Sequence, residues 1–188
     1  GLYDNTVVCL VSDNGGLSTA EGSPTSNFPL RGGKGWLYEG GIRVPYIIKT
    51  PYMKGSAGIC KTPVSSTDFY PTILELTGAT LKPYQHKDGV SLVPLLKGNT
   101  VFDRGAIYFH YPHYGGKGDS PAGAIRKGDY KLIWFYEDDY IILKWIFLKR
   151  KIWRKLKRKE LCLYRKNCRN GCAHVLQKCL YIIRIIRK

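Results

Sequence analysis

Methionine is nearly missing from this chain, Met53 being its one occurrence, and histidine appears only four times. Long apolar runs are missing too. No stretch reaches the roughly 18–20 apolar residues that a spanning helix needs, and Lys144 interrupts the nearest one, Tyr140–Leu148. An integral membrane span is therefore not expected. No two cysteines are spaced Cys-x-x-Cys, and six in 188 residues do not make a disulfide scaffold. Cys168 and Cys172 with His174 lack the remainder of a zinc ligand set. The chain opens Gly-Leu-Tyr-Asp, without a charged-then-apolar leader, directly before a strand-like run. It is expected to be a fragment, which leaves localisation open. Acidic residues are scarce in one region only. Residues 140–188 hold 16 of the 30 Lys+Arg but only Glu160 of the 14 Asp+Glu, whereas residues 1–139 hold 14 and 13. The formal net charge of +16 thus belongs to a tail. That excludes a uniformly basic nucleic-acid-binding domain, and no nucleic-acid partner is expected. With 44% hydrophobic and 23% charged residues the chain has the composition of a folded protein.

Thr6–Val11 is a continuous apolar, β-branched run closed by Ser12-Asp13-Asn14-Gly15-Gly16. It predicts a strand buried on both faces, as parallel sheets supply. Its polar end then lies where open α/β sheets place their ligands. Residues 15–29 are a Gly/Ser/Pro/Thr-rich loop. Val44–Ile48 predicts a second strand, with Pro45 setting its start near an edge. Ser65–Gly78 predicts a helix capped by Ser66 or Thr67, with Pro71 near its first turn and Gly78 ending it. Phe69, Ile73 and Leu76 share its apolar face. Asp88–Gly98 predicts a turn and a short helix. From Arg104 the pattern becomes aromatic and β-branched, in Gly105–Tyr111 and Gly123–Tyr136, with Gly128-Asp129 as a hairpin turn. Strands without intervening helices imply an antiparallel unit beside a parallel sheet. Three regions are expected: an α/β part over 1–98, a small antiparallel part over 99–139, and a basic, cysteine-containing tail over 140–188.

Asp13 and Asn14 offer a carboxylate and an amide carbonyl, hard oxygen donors suited to Ca²⁺ or Mg²⁺, beside glycines that let the backbone turn around an ion. Lys34, within Arg31-Gly32-Gly33-Lys34-Gly35, places a cation among exposed backbone N–H groups and suits a tetrahedral oxyanion. Each alone has a plainer meaning, a turn and a solvated lysine; their joint occurrence favours the functional one. Glu39 and Arg43 could pair across Gly40-Gly41 and brace the loop. His110 and His113, in Phe-His-Tyr-Pro-His-Tyr-Gly-Gly, are candidate substrate contacts, for sugar hydroxyls or a second charged group, or else exposed hairpin histidines. Asp68 is expected to be a first-turn helix carboxylate, and Cys9 a buried small hydrophobe.

Val11–Gly16 and Gly32–Pro45, followed in order by Thr67-Asp-Phe-Tyr-Pro-Thr-Ile-Leu and Asp88-Gly-Val-Ser-Leu, resemble the carboxyl half of the arylsulfatase-type, formylglycine-dependent sulfatases. The resemblance covers roughly residues 1–139. It implies an alkaline-phosphatase-like fold, an α/β/α sandwich present in part, with a small carboxyl-terminal antiparallel sheet. It further implies sulfate-ester hydrolysis with one divalent cation, usually Ca²⁺, and a formylglycine. Asp13 and Asn14 would be metal ligands, and Lys34 the catalytic lysine touching sulfate. The substrate would be a sulfated carbohydrate or an aryl sulfate, in a secreted, periplasmic or lysosomal setting. The formylglycine precursor motif, Cys/Ser-x-Pro-x-Arg, does not occur here. Neither do the family's paired aspartates or its amino-terminal lysine and histidines, so this chain alone is expected to be inactive. A phosphoryl-transfer member of the same superfamily is the enzymatic alternative.

Residues 140–188 admit three origins. They could form a basic amphipathic membrane helix, with Ile141, Trp145, Leu148, Ile152 and Leu156 on one face. They could be a polyanion-binding arm, which makes a cationic membrane- or glycan-binding protein the non-enzymatic alternative. Or they could be a product of a slipped reading frame. Codon degeneracy lets Leu163–Cys172 be written so that a two-base shift yields Leu-Gln-Lys-Lys-Leu-Gln-Glu-Trp-Leu, resembling a sulfatase terminal helix. The frame slip is preferred, and it would leave the small sheet without its last partners.

Overall fold

The computed structural model describes residues 1–51, 58–116, 119–137, 140–144 and 152–156. Its elements run β1 (Val8–Val11), α1 (Glu39–Ile42), β2 (Tyr46–Lys49), α2 (Phe69–Leu76), α3 (Val93–Leu96) and β3 (Ile107–Tyr111). β4 (Ala122–Lys127), β5 (Tyr130–Phe135), β6 (Tyr140–Lys144) and β7 (Ile152–Leu156) follow. They gather into two compact units, one of residues 1–13 and 44–105, the other of residues 14–43 and 106 onward.

In the first unit β1 pairs with β2 antiparallel, Val8 opposite Lys49 and Val11 opposite Tyr46. The run Thr6–Val11 does form a strand, but not the doubly buried parallel one expected. Val8, Leu10, Val11 and Ile47 are exposed and Cys9 is half-buried, because a two-stranded ribbon has too few neighbours to cover both its faces. The expected helix is present, entered through a 3₁₀ turn at Ser66–Asp68. Its cap is Ser65, one residue before the expected pair, in a reciprocal box with Asp68. Gly78, at φ +71°, terminates it. The buried face carries Asp68, Pro71 and Thr72, whereas Phe69 stays 41% exposed. Asp68 does sit in the helix's first turn, and it is completely buried. Its carboxylate accepts from the Ser65 and Val90 backbone N–H groups at 2.7 and 3.0 Å. Arg104 closes a two-pronged pair on it through Nε at 2.7 Å and Nη2 at 2.8 Å. A buried carboxylate is tolerated only with such complete partnering.

The second unit is built on a five-stranded antiparallel meander, β3-β4-β5-β6-β7. β4 and β5 join through the expected two-residue turn, Gly128 at φ +54°, with Lys127 opposite Tyr130. Phe109, Tyr111, Ala122, Ala124, Ile133 and Phe135 share one face and pack on Leu37 and Tyr38. Small Ala122 and Ala124 leave room for the ring of Tyr38, which tilts against Phe135 at 6.1 Å. Full burial of a side chain the size of Leu37 contributes about 1.5–3 kcal/mol. This packing gathers residues 14–43 with the sheet. Glu39 pairs with Lys131 of β5, at 2.9 Å. Lys131 is 1% exposed, and burial pulls its pKa down against the opposing pull of Glu39. The expected loss of the sheet's last partners is also not what is found: β6 and β7 lie within the tail and extend the sheet to Leu156. Those same residues are strands, not parts of an amphipathic helix. Trp145, Leu148, the tail cysteines Cys162, Cys168, Cys172 and Cys179, and His174 lie outside the described residues.

Candidate active site

Glycines build the site by letting backbone touch backbone. The Gly15 N–H donates to the Gly41 carbonyl at 2.8 Å, and Gly40 N–H donates to that of Arg31 at 2.8 Å. A Cβ on Gly15 would sit 1.7 Å from the Gly40 oxygen, so no larger residue fits without moving a chain segment. The Lys34 N–H then donates to the Gly16 carbonyl at 3.1 Å. That bond sets Lys34 beside the strand-end loop that carries Asn14. Asn27 clasps the same two segments. Its Nδ2 lies 2.8 Å from the Gly16 carbonyl, 3.1 Å from that of Gly32 and 2.9 Å from Ser18 Oγ. Its Oδ1 accepts from Gly16 N–H at 3.2 Å. Arg31, just ahead of this loop, stacks its guanidinium 4.0 Å over the Tyr38 ring. Burial raises the Tyr38 phenol's pKa while that cation opposes the rise.

The expected residues fall in different places. Asp13 is exposed and ends the first unit; Asn14 is half-buried and opens the second. Lys34 is exposed. His113 lies near the Lys34 loop through intermediaries: its ring meets Tyr111 edge-on at 5.6 Å, and Tyr111 bonds Asp119, which lies against Gly35. His110 does not join them. The strand alternation that packs Phe109 and Tyr111 on Leu37 and Tyr38 sends His110 to the other face. There its Nδ1 lies 2.5 Å from the Tyr136 hydroxyl, and Trp134 packs on Tyr136 at 4.9 Å. Two residues escaped the sequence. Asn27 lies in a loop read only as polar, and the buried Asp119 carries no motif.

Among the described residues, no group of three or more His, Cys, Asp or Glu side chains is placed to hold a metal. Asp13 and Asn14 are hard oxygen donors at a strand end, and they fit a share of the six to eight oxygens a Ca²⁺ ion takes. They do not fill it.

A family model described as N-sulphoglucosamine sulphohydrolase, C-terminal, matches residues 32–150. The chain belongs to the sulfatase family. A sulfatase of Formosa agariphila is 38% identical over 149 residues, 74% of this chain and 26% of that protein. Arylsulfatase A of Homo sapiens is 36% identical over 137 residues, 72% of this chain and again 26% of its own length. The chain therefore spans only 26% of each of these curated relatives. The solved structure of Ps i-CgsB in complex with k-i-k-neocarrahexaose matches at TM-score 0.62 and 33% identity, over 74% of this chain and 30% of that one. The fold class expected from the sequence is borne out: a sulfatase of alkaline-phosphatase-like, mixed α/β type, represented by a carboxyl-terminal part. Sulfatase relatives do not favour the phosphoryl-transfer alternative. A divalent cation and a formylglycine attach to the sulfatase family in general terms. No helix among the described residues is long and apolar enough to cross a membrane.

Proposed function

We propose that this chain is the carboxyl-terminal part of a sulfuric ester hydrolase acting on a sulfated carbohydrate. Asp13 and Asn14 supply oxygen ligands to one Ca²⁺, and Lys34 binds the ester's sulfate group. The observation that carries this is the Lys34 N–H to Gly16 carbonyl bond at 3.1 Å, two residues from Asn14. A bound divalent cation supplies Lewis-acid charge neutralisation at the sulfate oxygens. The Lys34 ammonium adds a second positive centre and three donors, holding the sulfate where charge builds during S–O cleavage. The Gly15–Gly41 and Gly16–Lys34 backbone bonds fix that ammonium's anchor before substrate arrives, so little ordering remains to be done on binding. His113 contacts a sugar hydroxyl, whereas His110, on the other face of the sheet beside Trp134 and Tyr136, lies apart from that contact. The nucleophile is not encoded in these residues, so the chain by itself binds but does not turn over. The oligosaccharide bound to Ps i-CgsB supports a carbohydrate over an aryl sulfate.

The test is a sulfate titration of the 188-residue chain followed by NMR, with and without Ca²⁺. Two oxygen ligands bind Ca²⁺ weakly, on the order of millimolar or poorer. Sulfate should shift the Lys34 and Gly33 amides, more strongly with Ca²⁺ present. K34A should remove the sulfate response, and D13A should remove only its dependence on Ca²⁺. A sulfate response that survives K34A defeats the assignment.

A further inference from the structure

Asp119 is a carboxylate that is 6% exposed, close to the loop already described and used by none of the chemistry above. It is held from two sides. On one, the Gly115 N–H donates to its Oδ2 at 3.1 Å, and the Tyr111 hydroxyl donates to the same carboxylate. On the other lies Gly35, the residue after Lys34, at φ +92°. A Cβ built on Gly35 would stand 3.0 Å from Asp119 Oδ2 and 3.2 Å from its Cγ. One built on Gly115 would stand 2.4 Å from the same Oδ2 and 2.6 Å from the Tyr111 hydroxyl. Two glycines from distant parts of the sequence thus close on one carboxylate, each leaving it the space a side chain would take. The left-handed backbone at Gly35 adds its own preference for glycine.

We propose that Asp119 is a positioning residue that ties the segment carrying His113 to the Lys34 loop, so that one sulfated sugar meets Lys34 with its sulfate and His113 with a ring hydroxyl. The sugar half of this statement rests on the function proposed above; the tie does not. Tyr111 is the second strut. Its ring carries the His113 imidazole edge-on, at an interplanar angle of 83°. Burial, and then the Asp119 carboxylate, raise its phenol's pKa, so it remains a donor at neutral pH. The negative charge of Asp119 works against an anion near Lys34. Its burial with both sides held fits a mechanical purpose, since electrostatics alone would disfavour it there. The opposition of the two effects makes them separable.

The 188-residue chain and its D119N, D119A and Y111F variants supply the test, read by amide hydrogen exchange and by NMR titration. In the free chain, D119A should speed exchange about tenfold at Gly115, and also at Lys34 and Trp36. The last two amides bond to the Gly16 and Gly33 carbonyls at 3.1 and 2.9 Å. Amides of Leu132 and Ile133 in β5 should keep their wild-type rates, which separates a broken tie from general destabilisation. Acceleration at Gly115 alone overturns the proposal. In the titration, D119N should weaken galactose 6-sulfate several-fold while leaving inorganic sulfate equal or tighter, and Y111F should follow it in part. Equal losses for both probes overturn the sugar-aligning role. If the wild-type chain binds neither probe, the sulfatase-site reading fails, and the exchange arm still decides whether Asp119 joins the two segments.

Discussion

Asn27 shows how one amide can hold a site that contains none of its own chemistry. Its side chain spans Gly16 and Gly32, and every partner but Ser18 is backbone. Asn27→Ala would leave the Gly16 N–H and two carbonyls without these bonds in a half-buried place. The cost is about 1–3 kcal/mol of local stability, read as faster hydrogen exchange at Gly16 and Lys34. Asn27→Asp should be no milder. An ionised carboxylate still accepts from Gly16 N–H but turns oxygen toward two carbonyl oxygens. If Asn27→Asp matches wild type at those amides, the clasp is not what holds the loop. Residues of this kind explain what the sequence shows and hides. Asp13, Asn14 and Lys34 stand out in the sequence because donor type and glycine flanks suggest an ion and an oxyanion, the roles proposed for them above. Asn27 and Asp119 do not, because their partners, backbone groups with Ser18 Oγ for one and the Gly115 N–H and Tyr111 hydroxyl for the other, form no side-chain pattern in the sequence. His110 and His113 look equivalent as letters, yet His110 faces away from the Lys34 loop on β3, whereas His113 lies beyond that strand's end.

Among the elements, legibility follows how local the cause is. The Gly128-Asp129 hairpin and the end of α2 at Gly78 are set by residues within a turn of the event, and both were readable. The antiparallel partner of β1 and the exposure of Phe69 depend on distant chain, and neither was. β2 offers a titration that checks its placement. Burial pushes the Tyr46 phenol up to about 12, and the neighbouring Cys9 and Asp68 add to the rise. In the unfolded chain the same phenol titrates near its ordinary value of about 10. The folded state therefore holds this proton more tightly, and the contribution is fully present below about pH 10. It is lost as pH climbs from about 10 to about 12. An ultraviolet difference titration of the native chain should show a late tyrosine step approaching pH 12. Tyr46→Phe should remove that late step. If the latest step keeps its full size in the variant, Tyr46 does not carry it, and its burial on β2 would then be wrong.

At the scale of the whole chain the question is what the basic tail contributes. The family match runs to residue 150, and β6 and β7 continue the meander to Leu156. Continuation of a sheet is not by itself evidence that a segment evolved for it. An open edge such as that of β5 templates any β-prone strand, and Tyr140-Ile-Ile-Leu-Lys144 suits that edge whichever frame encoded it. We propose that residues 157–188 are an out-of-frame or otherwise non-native extension, whereas β6 and β7 have a structural use as edge cover. Truncation separates these. A chain ending at 139 leaves β5 as an edge, with the N–H and C=O groups that face β6 unpaired. It should unfold at lower urea concentration and associate on size exclusion. A chain ending at 156 removes ten of the tail's sixteen basic residues and should keep the full-length urea midpoint. Heparin retention supplies the second readout. A glycan-binding arm predicts that the 156-residue chain loses most of its salt-sensitive binding along with those charges, and that sulfate binding at Lys34 falls with it. A non-native extension predicts the same loss of heparin binding with the Lys34 response untouched. If the 139-residue chain proves as stable and monomeric as the full one, the edge-cover role fails, and the frame slip reaches back to the start of β6.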